Sequence, residues 1–190
     1  MGDGSAIGGV YAQIKNVSVD VQSGAAPTTA WVMLSPSNQS LWAQLGWIQW
    51  SNGARYTMMQ VKNSPYDITT RDSSDAPQPT GSYPYYTVLY NNTPGQFTFQ
   101  VAGAAWPWSG YSVTAGFTPT TSLIFGETAN QNSQIPGRVS DAEGFYDAHY
   151  YHYGYWTELA GSVFASIPSF GGYDGPYYGT TFYIRDKACA

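Results

Sequence analysis

Cysteine is nearly absent: Cys189 is the only one in 190 residues, so no disulfide can form within the chain. Charge is scarce too. Lys, Arg, Asp and Glu make up 10% of the sequence, as 7 cations against 12 carboxylates, for a net charge of −5. An average soluble protein carries about 25%. Seven scattered cations cannot form the basic stripe that a phosphate backbone demands, so nucleic acid is excluded as a partner. No apolar run approaches the roughly 18 residues of a spanning helix, so no membrane is expected. Leu, Glu and Lys are too few for a helical bundle or a coiled coil.

Aromatic residues are abundant, at 17% of the chain: 17 Tyr, 8 Phe and 7 Trp, with 21 Gly and 12 Pro beside them. A disordered chain does not carry so many large rings. The length suits a single domain over residues 1–190 with a core of its own, and a monomer. Few Lys, much Tyr, Thr, Ser and Asn, and a net negative charge lead to the expectation of a secreted, extracellular protein.

Strand signals recur at short spacing. Val10 to Val21 alternates, with Val17, Val19 and Val21 on one face. Leu41–Trp50 and Arg55–Val61 flank Ser51-Asn52-Gly53-Ala54, which predicts a hairpin with a type I′ turn. Tyr85–Tyr90 and Gln96–Val101 flank Asn91-Asn-Thr-Pro-Gly95, a second hairpin. Further strands are predicted over 120–127, 145–157, 162–167 and 180–185. About ten short strands with turn chemistry between them predict an all-β fold, an antiparallel sandwich of two sheets of the jelly-roll or concanavalin A-like kind. Lys62 to Pro84, rich in Ser, Asp and Pro, is predicted to be a long loop over one sheet face. Ser169 to Gly179 is predicted to be a tight surface loop.

Most of the twelve carboxylates, Glu143 among them, stand in polar surroundings and are expected in water. Glu127 differs. It closes the apolar run Ser122-Leu-Ile-Phe-Gly126, and a carboxylate on a sheet face with no cation nearby in sequence must face water or a ligand. A rim position with no further role accounts for it equally well. Gln44 sits in Leu41-Trp-Ala-Gln-Leu-Gly-Trp-Ile-Gln-Trp50. Strand parity puts Trp42, Gln44, Gly46, Ile48 and Trp50 on one face, where rings give area, the amide orientation and the Gly close approach. An amide bonded to its core neighbours is the plainer alternative. His149 and His152 are three apart on a strand, point opposite ways, and have no Cys or carboxylate cluster beside them, so no metal is expected. Asp147 and His149 share a face, but no Ser elbow accompanies them.

Taken together, these segments resemble the glutamic peptidases, of both the eqolisin and the neprosin type. Gly9-Val-Tyr-Ala-Gln-Ile14 and Ala30-Trp-Val32 look like the first two strands of that family. Ala43-Gln-Leu-Gly-Trp47 looks like the segment of its first catalytic residue. Ile124-Phe-Gly-Glu-Thr128, followed by Gln134-Ile-Pro-Gly137, looks like the segment of its catalytic Glu. The order and spacing agree over roughly residues 8 to 160, while the family's cysteines are missing. The resemblance implies a two-sheet sandwich, a catalytic dyad of Gln44 and Glu127 with Trp31 beside it, an extended peptide or protein substrate, and no metal or cofactor; strand parity adds Trp42 and Trp50 along the substrate groove.

Two rival functions use the same composition. One is a carbohydrate-binding, lectin-like sandwich with Trp42, Trp50, Trp106 and Trp108 as platforms for a polysaccharide. The other is a glycoside hydrolase, which needs two carboxylates about 5 to 10 Å apart. Only Glu143 and Glu158 offer themselves as partners to Glu127.

Overall fold

The computed structural model describes residues 5–21, 23–24, 27–72, 81–93, 95–104, 106–128, 134, 136–137, 141–159, 171–177 and 180–186, with the backbone alone for 171–177 and 185–186. The described residues contain strands and no helix. In chain order the strands are β1 (Gly9–Ile14), β2 (Thr28–Ser35), β3 (Trp42–Gln49), β4 (Arg55–Ser64), β5 (Asp67–Asp72), β6 (Tyr85–Asn91), β7 (Gln96–Ala102), β8 (Ser112–Thr114), β9 (Thr121–Thr128), β10 (Glu143–His152), β11 (Tyr155–Glu158), β12 (Gly171–Tyr177) and β13 (Thr181–Asp186).

They form two antiparallel sheets. The front sheet runs β5-β4-β3-β2-β9. Strands β2 to β5 follow one another as a meander, and β9 returns to the far side of β2. The back sheet runs β12-β13-β10-β1-β6-β7-β8, with β11 folded onto β10. Alternation along each strand sends one set of side chains between the sheets. From the front come Ala30, Val32, Leu34, Leu45, Trp47, Met59 and Val61; from the back, Val10, Ile14, Tyr86, Val88, Phe97, Phe99 and Phe145. All of these are at 0% exposure. Burial of each large side chain contributes about 1.5–3 kcal/mol, so this layer holds the two sheets together.

Several sequence expectations are corrected. Lys62 to Pro84 is not a loop throughout: β4 continues to Ser64, and β5 pairs with it as the outermost strand of the front sheet. The mixed polar run Asp67-Ile-Thr-Thr-Arg-Asp72 suits an edge strand, half in water. Ser169 to Gly179 contains β12, and the long 145–157 strand is a hairpin of β10 and β11. The strand expected over 162–167 lies outside the described residues. The turn after β3 is not type I′. Gly53 has φ +80, while Asn52 is absent from the positive-φ residues. Trp50 N–H donates to Ala54 O, and Gly53 N–H to Trp50 O. This is a three-residue loop, a type I turn closed by a left-handed glycine, and Asn52 Oδ1 accepts from Ala54 N–H at 2.9 Å to fix it.

Candidate active site

Register lays out the outer face of the front sheet in three rows across the strands. The first is Thr70, Gln60, Gln44, Met33 and Leu123, from β5 to β9. The second is Asp72, Met58, Gly46, Trp31 and Phe125. The third is Tyr56, Ile48, Thr29 and Glu127. Gln44 and Glu127 therefore share a face, and Trp31 lies on the diagonal between them, with Gly46 beside it.

The two are not in contact. They are two strands apart and four residues apart along β2, which on a flat sheet separates their Cα atoms by about 16 Å. No direct hydrogen bond joins them among the described residues. Their head groups can address one bound molecule only from opposite sides of the middle row.

Gln44 is buried, yet it lies outside the core between the sheets. Its Nε2 donates to Gln60 Oε1 at 3.0 Å. That bond orients the carboxamide and leaves it a second N–H. Glu127 is exposed at the rim of the sheet. The residue before it is Gly126 for a packing reason: a Cβ there would lie 2.2 Å from Ile184 Cδ1 and 3.0 Å from Pro136 Cγ. The chain beyond β9 is clamped by Gln134. Its Oε1 accepts from Asp20 N–H, its Nε2 donates to Gly137 O, and its carbonyl accepts from Thr28 Oγ1.

Gly46 in the middle row is a glycine for a packing reason. A Cβ at Gly46 would stand 1.8 Å from Ala30 O, so no side chain can rise from this point. Trp31 lies opposite it at 2% exposure, clustered with Ile48, Met58, Tyr56 and Phe125. Its Nε1 has no hydrogen-bond partner among the described residues. Trp42 is on the same face beyond Gln44, with Lys62 Nζ 4.4 Å from its ring centroid. Trp50 follows the end of β3, outside the strand, and is exposed.

The rival platforms do not assemble. Trp106 belongs to the core at 6% exposure. Trp108 is beside β5, where its Nε1 donates to Asp72 O and Arg71 lies over its ring. The two partners that the two-carboxylate reading offered for Glu127, Glu143 and Glu158, do not share its face. Glu158 is on the back sheet. Asp72 is four strands from β9, about 19 Å at the usual strand spacing.

Glu143, expected in water, is at 0% exposure between the sheets. Trp47 Nε1 donates to its Oε1 at 3.4 Å. Burial pushes its carboxyl well above the ordinary range, against the opposing pull of Trp47, Arg55 and Lys15. Arg55 is buried beside it, donates to Gln49 Oε1 at 2.6 Å and stacks over Trp47.

No protein-family model and no curated protein sequence matches the chain. Solved structures do match, and they define the class of fold: it is the fold of the glutamic peptidases. Scytalido-glutamic peptidase with a peptide-based transition-state analog superimposes with a TM-score of 0.64 at 16% identity, over 96% of this chain and 94% of that one. SCP-B, a member of the eqolisin family in complex with the tripeptide Ala-Ile-His, gives 0.61 at 16% identity over the same shares. Scytalido-glutamic peptidase with a transition-state analog inhibitor gives 0.58 at 18% identity, again over 96% and 94%.

Proposed function

We propose that the protein is a glutamic-type endopeptidase that cleaves extended peptides on the outer face of the front sheet, with Glu127 and Gln44 as its catalytic residues. The observation that carries this is the placement of an exposed carboxylate and an oriented carboxamide on one sheet face, with Trp31 between them. The neighbours in fold were solved with peptide-like ligands, and a peptide laid over Trp31 on this face would pass between the two groups.

In this reading the Glu127 carboxylate takes a proton from a water as the water oxygen bonds to the carbonyl carbon. The carbonyl oxygen gains negative charge and accepts the free N–H of Gln44. The C–N bond then breaks, and Glu127 returns the proton to the departing amine. The products are a carboxylic acid and an amine, and no external reactant besides water enters. The polar, charge-poor surface suits work outside the cell.

The test is digestion of an unfolded protein across pH 2 to 8, with fragments read by mass spectrometry, for wild type and Glu127→Gln. Cleavage by wild type that Glu127→Gln abolishes supports the reading. A wild type that cleaves nothing, or a variant that cleaves equally well, overturns it.

A further inference from the structure

The back sheet carries a second built surface on its own outer face. Thr98 on β7, Leu89 on β6, Gly9 on β1, Tyr151 on β10 and Trp156 on β11 are successive register partners, so one row crosses five strands. Gly9 is its centre. A Cβ there would lie 2.9 Å from Trp156 Cη2 and 3.1 Å from Leu89 Cδ2, so these two side chains close over bare backbone. Gly8 serves Tyr151 likewise, since its Cβ would meet the ring at 2.5 Å. Two adjacent glycines thus let two rings settle onto β1.

The rings are held from the side as well. Tyr11 meets Trp156 edge-on at 4.8 Å between centroids and stacks on His149 at 4.9 Å. Trp156 still leaves 41% of its surface in water. Along the row runs a groove of about 500 Å³, with Tyr151 and Trp156 toward one end and Asn91, Asn92 and Thr98 toward the other. Among the described residues that line it there is no Asp, Glu, Lys or Arg.

We propose that this groove binds a neutral polysaccharide chain. A sugar ring presents an apolar face that packs on an aromatic ring, and hydroxyls that need both donors and acceptors. The exposed Trp156 ring with half-buried Tyr151 beside it at one end, and the side-chain amides of Asn91 and Asn92 at the other, supply those partners. The uncharged lining offers no counter-charge to a phosphate, a polyanion or a charged peptide. The surface is on the opposite sheet from Gln44 and Glu127, and the proposal stands without the peptidase reading.

The test is electrophoresis of the native chain through gels that contain xyloglucan, mixed-linkage β-glucan, galactomannan or amylose, with polygalacturonate as the anionic comparison. At least one neutral glycan retards the wild type. Trp156→Ala weakens that binding about tenfold or more. Because Trp156 also packs on β1, the exposed Asn92→Ala is the second variant, with a loss of roughly three- to tenfold and an unchanged melting temperature. Glu127→Gln binds like wild type. Retardation by no neutral glycan, retardation by polygalacturonate alone, full binding by both groove variants, or loss of binding in Glu127→Gln would each overturn the proposal. A chain that binds glycan but cleaves no protein upholds it and removes the peptidase reading instead.

Discussion

Gln44 donates from Nε2 to Gln60 Oε1 at 3.0 Å, across the pair of strands β3 and β4. Only one of the two N–H groups of the amide is used in this way. Gln60 is thus a positioning residue for the proposed oxyanion donor. Gln60→Ala should lower kcat roughly tenfold with KM little changed, since one oriented hydrogen bond is lost. Gln60→Glu keeps the acceptor and should retain most of the rate. Steady-state kinetics on a peptide substrate check both, and an unchanged kcat in Gln60→Ala removes Gln60 from the account.

Loss of the proposed base should cost more than loss of its partner. Glu127→Gln keeps shape and removes the proton acceptor, for a drop of about 100- to 10,000-fold. Gln44→Ala removes one donor to the oxyanion, for about 100- to 1000-fold. The double variant should be scarcely slower than Glu127→Gln alone, because the two act on one transition state. Strictly multiplicative losses would show that they act separately.

Gly46 should tolerate nothing larger. Gly46→Ala sets a Cβ 1.8 Å from Ala30 O, backbone that cannot move without parting β2 from β3, and should cost about 3 kcal/mol or more. Gly53→Ala is the control: its φ is +80 but it has open space around it, and it should cost about 1 kcal/mol. Urea unfolding of both variants decides the matter. Equal costs would contradict the pairing of Trp31 with Gly46.

Strand parity made one face of β3 legible, since Trp42, Gln44, Gly46 and Ile48 alternate with Ala43, Leu45 and Trp47 in the core. The sequence could not show that β9 and β3 both flank β2, which is what brings Glu127 and Gln44 to one face. Strand β5 was missed because an edge strand needs little apolar alternation, and β12 because its Gly and Pro imitate a loop. Trp106 was offered as a platform on composition alone, though it points into the core. Glu143 was missed for a similar reason. Ser140-Asp-Ala-Glu-Gly144 has the composition of a turn, and the groups that surround Glu143 come from other strands, Trp47 from β3 and Tyr86 from β6.

Glu143 should make the fold more stable in acid than at neutrality. Trp47 faces it from β3, Arg55 from β4, Lys15 from the end of β1, Tyr86 from β6, and Asp141 from its own segment. Burial is the largest influence and raises its carboxyl well above the ordinary 4.5. The folded chain therefore holds this proton more tightly than the unfolded chain does. Its contribution is fully present below 4.5, and is lost as pH rises through the raised value. Between the two, stability falls by up to about 1.4 kcal/mol per pH unit from this one group. Glu143→Gln keeps the shape and an acceptor for Trp47 but has no proton to lose. Melting temperatures from pH 3.5 to 7.5 should show the wild type declining relative to the variant as pH increases, with the variant the more stable at pH 7. Parallel curves, or a wild type that gains on the variant toward neutrality, would mean that Glu143 is ionised in the fold and paired with Arg55.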